Sequence, residues 1–199
     1  MKTVHLIHGF NESHPVQHPN IAVLSPLIKR RGFNVHVHDY GEWDLMATRN
    51  NKNLARLIYP SIREGDTLVA FSNGAAIVAH LQAMPMSVAT PRIVLIQPAL
   101  SNKWVPNSYT QSVTVFWNPG DMATVAGKWW RRVTSVTPWR WKEKHLWGEM
   151  GHTGYVGDDP RFTQIRTDQP TDGLPVVRGH THWDDDENRR WREVIANCV

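Results

Sequence analysis

Val69-Ala70-Phe71-Ser72-Asn73-Gly74 carries an apolar run into a serine that has a small residue two positions before it, Ala70, and two after it, Gly74. A serine oxygen attacks a carbonyl usefully only when a base can reach it and backbone N–H groups can meet the developing oxyanion. A sharp strand-to-helix turn, a nucleophile elbow, meets both needs by lifting the hydroxyl above the sheet and leaving the first N–H groups of the helix beneath it. The turn is tight enough that the second neighbour on either side must be small. Ala75-Ala76-Ile77-Val78-Ala79-His80-Leu81 reads as the helix that follows. Taken alone, the serine reads equally well as a helix N-cap.

The elements that must position Ser72 alternate strand and helix along the chain, the pattern of a mainly parallel sheet with helices on both faces. Strands are expected at Val4 to Ile7, Asn34 to His38, Thr67 to Phe71, Arg92 to Gln97 and Ser112 to Trp117. Helices are expected at Ile21 to Arg31, Thr48 to Arg63, Asn73 to Ala83 and Met122 to Val133. Arg161 to Thr167 alternates like a further strand, Leu174 to Val177 is a short apolar run, and Asp184 to Ala196 reads as a closing polar helix. The segment from Trp139 to Val156 mixes aromatics, charges and glycines and reads as loop. In such a layout functional groups belong at the carboxyl ends of the strands.

Four candidates fall there. His8-Gly9-Phe10 ends the first strand, Ser72 the third, and Asp121 follows the fifth in Asn118-Pro119-Gly120-Asp121, where it reads also as a turn residue or N-cap. A histidine near the end of the chain completes the set. The order Ser, Asp, His, with a His-Gly turn upstream, resembles the α/β-hydrolase superfamily over most of the chain. That resemblance implies a three-layer fold without a large cap domain. It makes Ser72 the nucleophile and Asp121 the acid that orients the imidazole, with the backbone N–H groups of Phe10 and Asn73 forming the oxyanion hole. His8, Gly9, Met150 and Trp183 are expected to border the substrate. One position departs from the pattern: Ala70 stands where these proteins usually have glycine.

Two segments offer the histidine. The superfamily places it in a loop between the last strand and the last helix, which favours His180 in Gly179-His180-Thr181-His182-Trp183. The alternative base is His152 in Gly151-His152-Thr153-Gly154, about thirty residues after Asp121 and expected in a loop at the mouth of the site. His180-Thr181-His182 with Asp184-Asp185 also has metal-ligand spacing, but too little chain follows to supply the remaining ligands. His36-Val37-His38 sets two imidazoles on one face of a strand end. With 11 histidines in the chain such pairs arise by chance, and no metal or other cofactor is expected.

Composition narrows the reading further. At 199 residues, residues 1–199 are expected to form one α/β-hydrolase domain. No apolar run approaches the roughly 20 residues that span a bilayer, and Met1-Lys2-Thr3 leads directly into the first strand with no signal-peptide pattern, so a cytoplasmic location is expected. The single cysteine, Cys198, excludes an intrachain disulfide. The net charge of +4 is spread apart from Lys29-Arg30-Arg31 and Lys128 with Arg131-Arg132, so no nucleic-acid partner is expected. Seven of the ten tryptophans lie from Trp129 onward and would fill the core or wall an apolar pocket. The expected function is serine-dependent cleavage of a small ester or acyl substrate, as by a carboxylesterase or deacylase. The alternative is a catalytically inactive protein of this fold that binds a small molecule or a partner protein.

Overall fold

A computed structural model of the chain describes residues 1–9, 19–40, 51–84, 89–126, 148–169, 173–177, 179–180 and 186–199. Six strands form one sheet in the order β2-β1-β3-β4-β5-β6: β1 Thr3–Ile7, β2 Asn34–His38, β3 Thr67–Phe71, β4 Arg92–Ile96, β5 Ser112–Trp117 and β6 Phe162–Arg166. Every pairing among them is parallel. A parallel sheet needs cover on both faces, because its crossovers lay helices there. The strand sequences show it. In β3, Leu68 and Ala70 join one apolar cluster while Val69 and Phe71 join the other. In β4, Ile93 and Leu95 face one way and Val94 and Ile96 the other.

Two helices, α3 (Asn51–Ile58) and α4 (Gly74–Gln82), cover the first face through Leu54, Ala55, Ile58, Ile77, Val78 and Leu81. The opposite face carries α1 (Pro19–Ala22), α2 (Ser25–Arg30) and α7 (Arg189–Asn197), which with Leu24 in the turn between α1 and α2 bring in Ile21, Ile28, Trp191 and Ile195. A stretch α5 begins at residue 122 and is described to 126, and α6 is a single turn, Met150–Thr153.

The helical expectations are corrected in four places. The one helix expected from Ile21 to Arg31 is two, α1 and α2, with Pro26 in the first turn of the second. The helix expected from Thr48 to Arg63 is described as α only over Asn51–Ile58. It tightens into a 3₁₀ turn at Tyr59–Ser61, where Pro60 has no N–H to continue the ladder. His152, expected in a loop, lies on α6. The closing helix likewise begins with a 3₁₀ turn, Asp186–Asn188.

The strand order places the site. Crossovers from β1 lead to β2 on one side and, in the next step, to β3 on the other, so a crevice opens between the carboxyl ends of β1 and β3. His8 and Gly9 end β1, and Ser72 ends β3. No helix among the described residues is long and apolar enough to cross a membrane.

Candidate active site

Ser72 holds φ at 53°, the left-handed region that a side chain seldom occupies, and is only 7% exposed. Its backbone is tied on both sides. The N–H of Ser72 donates to the Ile96 carbonyl at 3.0 Å, and the Ser72 carbonyl accepts from Ala75 and Ala99 at 3.1 and 3.0 Å. The small neighbours have measurable reasons. A Cβ at Gly74 would lie 2.4 Å from the Ile7 carbonyl oxygen and 2.7 Å from that of His8, so the helix can start against β1 only with glycine there. Gly9 likewise approaches so closely that a Cβ would sit 3.0 Å from the Ser72 Cβ.

His180 lies between β6 and α7, the expected place for the base. Its Nε2 is 2.7 Å from Ser72 Oγ, across 108 positions of sequence. Its Nδ1 is 2.8 Å from Asp121 Oδ1, close but without the alignment of a hydrogen bond. Such contacts are commonly loose before substrate tightens the site. The Phe71 ring packs at 5.2 Å from the imidazole, tilted by 31°. Asp121 is fully buried and has two tasks. Its Oδ1 accepts the Thr124 N–H at 3.2 Å, so the N-cap reading of this residue holds alongside its place beside the imidazole.

The other expected residues divide. Asn73 is buried at the start of α4, and its side-chain amide pairs reciprocally with Asn51 at 3.0 and 3.1 Å. The imidazole of His8 does not enter the Ser72–His180–Asp121 contacts. It stacks on Tyr40 at 3.8 Å, while its own carbonyl accepts the Tyr40 hydroxyl at 2.6 Å. Met150 is fully buried within the apolar core rather than at a surface. Among the described residues no hydrogen bond joins His152 to Ser72 or Asp121, and its Nδ1 is buried without a partner. Phe10 and Trp183 lie outside the described residues.

Residue types alone did not flag Tyr40, Asn51, Gln97 or Asn118. The signal available was positional, since Tyr40, Gln97 and Asn118 each lie just past the carboxyl end of a strand. His36 and His38, set on one face of β2, stack with ring centroids 4.3 Å apart, and His38 belongs to a buried polar chain. Asp66 accepts the Nε2–H of His5 at 3.1 Å, and the Nδ1 of His5 lies 2.9 Å from Nε2 of His38. With both rings neutral, His5 Nδ1 has no proton to give and His38 is the donor. Burial, reinforced by the neighbouring histidines, holds the pKa of His38 down to about 3, and burial also lowers that of His5. Among the described residues no group of three or more His, Cys, Asp or Glu side chains is placed to hold a metal ion.

No protein-family model and no curated protein sequence matches the chain. Solved structures do. A protein assigned to the α/β-hydrolase superfamily from Xanthomonas campestris is 16% identical, with a TM-score of 0.52 and 99% of each chain covered. An extracellular α/β-hydrolase from a Paenibacillus species is 12% identical with a TM-score of 0.51, covering 100% of this chain and 99% of its own. The esterase domain of a Rhodothermus marinus protein is 11% identical with a TM-score of 0.53, covering 98% and 85%. Identities this low speak for architecture alone, and together with the six-stranded parallel sheet they show that the chain adopts the α/β-hydrolase fold.

Proposed function

We propose that this protein is a serine hydrolase that cleaves a carboxylic ester or related acyl bond through Ser72, His180 and Asp121. The observation that carries the reading is the line of contacts from Ser72 Oγ to His180 Nε2 at 2.7 Å and from His180 Nδ1 to Asp121 Oδ1 at 2.8 Å. Serine and histidine groups buried for packing alone have no reason to meet an acid in this order from two strand ends and a distant loop.

In the first step His180 Nε2 takes the Ser72 proton as Oγ bonds to the substrate carbonyl carbon, and the carbonyl electron pair moves onto oxygen. The backbone N–H of Asn73, at the start of α4, and that of Phe10 are assigned to that oxyanion. Asp121 stabilises the imidazolium and holds its tautomer. Collapse of the tetrahedral species expels the alcohol, which takes the proton from His180. Water, deprotonated by the same nitrogen, then releases the acid and restores Ser72. We assign substrate-bordering roles to His8 and Gly9 through their backbone.

The test is hydrolysis of a chain-length series of p-nitrophenyl esters by wild type and Ser72→Ala, with stoichiometric labelling by a serine-reactive phosphonate. Turnover and labelling that both vanish in Ser72→Ala are expected. Labelling of Ser72 without ester turnover would keep the triad and reject the ester class. Neither activity in wild type would reject the hydrolase.

A further inference from the structure

We propose that Gln97 and Asn118 are positioning residues, a pair of amides that clamp the Gly179 carbonyl and thereby fix His180 as the base; this rests on the hydrolase reading above. Both residues leave the sheet just past a strand, β4 for Gln97 and β5 for Asn118. Gln97 Nε2 donates to the Gly179 carbonyl at 2.6 Å, and Asn118 Nδ2 donates to the same oxygen at 3.2 Å and to the Val177 carbonyl at 3.4 Å. The two lone pairs of one carbonyl are thus both filled by side-chain donors.

Loop carbonyls ordinarily face water, whereas this one draws in two buried side chains, Gln97 at 0% and Asn118 at 1% exposure. Gln97 also holds φ at 44°, and with Ser72 it is one of two non-glycine residues among those described to have a positive φ. Its backbone is pinned by the 2.8 Å bond from its N–H to the Phe116 carbonyl. A strained, pinned residue whose amide ends on the residue preceding His180 fits a role in aiming that histidine.

Asn118 joins the acid to the same device. Its carbonyl accepts the Asp121 N–H at 3.0 Å, and its own N–H donates to Gly151 at 2.9 Å. One asparagine therefore ties the Asp121 turn to the His180 loop. Gly179, with φ at 79°, lets the chain bend between clamp and imidazole.

The experiment uses Gln97→Met, which keeps length and volume but loses the donors, and Asn118→Leu as a second, independent variant. Three readouts are taken: kcat and KM on a p-nitrophenyl ester, the rate of phosphonate labelling, and ¹⁵N-imidazole NMR of His180. Each variant is expected to lose roughly 10- to 100-fold in kcat and labelling rate, the scale of a displaced catalytic group, with KM within about threefold. Because the amides share one acceptor, the double variant should lose less than the product of the two single losses. Wild-type kcat in either folded variant, or a loss confined to KM, would overturn the clamp. If wild type itself neither turns over nor labels, the hydrolase reading falls. The NMR arm then decides the clamp separately: His180 ring signals that shift or broaden in Gln97→Met support it, and unchanged signals refute it.

Discussion

A histidine within reach of a serine and one buried elsewhere differ in what their removal costs. His180→Ala should lower turnover on the order of 10³-fold or more, as loss of a triad base does. His152→Ala should leave it within about threefold, and steady-state kinetics on one ester compares the two directly. The reverse result would move the base to α6. Tyr40→Phe removes the hydroxyl that holds the His8 carbonyl at 2.6 Å. The expected loss is about 1 kcal/mol of stability, read from the urea midpoint, together with a lower kcat as the turn before Phe10 loosens. Ser72 and Asp121 were legible in sequence because each is a reactive type just past a recognisable strand, whereas His180 was preferred to His152 only through the place the resemblance gives the base. Gln97 and Asn118 were not, since an amide after an apolar strand looks like any turn residue. What marks them is a backbone angle and a shared acceptor, neither of which a sequence displays.

Strands were easier to read than helices. β2, β3 and β5 have the limits expected of them because each is an apolar or alternating run closed by turn residues. Helix ends were lost where proline intervened, at Pro26 and Pro60, since periodicity continues across a break that the missing N–H imposes. The junction of β3 and α4 is the element on which the site depends most. Gly74→Ala would push a Cβ to 2.4 Å from the Ile7 carbonyl, which belongs to backbone and cannot swing aside. A loss of about 1–3 kcal/mol is expected, together with reduced phosphonate labelling, because the turn that presents Ser72 must open to relieve the clash. Denaturant midpoints for wild type and variant measure the first effect. An unchanged midpoint would show that α4 can shift away from β1 without cost.

Across the whole molecule, the chain Asp66–His5–His38 makes stability depend on acid. His38 keeps a pKa near 3 in the folded protein against an ordinary 6.5, so between those values the unfolded chain binds a proton that the folded one refuses. Stability must therefore fall as pH drops below about 6.5, by about 2 kcal/mol from pH 7 to pH 5 for His38 alone. His5 is shifted in the same direction. Asp66 acts lower on the scale: bonds from the Thr3 and Arg63 N–H groups and from His5 outweigh burial and hold its pKa down, so its support is lost only below the ordinary carboxylate range. Urea midpoints at pH 7 and pH 5 should reveal the slope, and His38→Gln should flatten it; an equal slope in both proteins would place the acid sensitivity elsewhere. The 108 positions that separate Ser72 from His180 carry one more consequence. During synthesis Ser72 is made long before His180, and α7, whose Trp191 and Ile195 close the second core face, follows later still. On the proposed reading, a nascent chain that has emerged only as far as Ser72 carries no base, so reactivity toward a phosphonate is expected only once His180 has also left the ribosome.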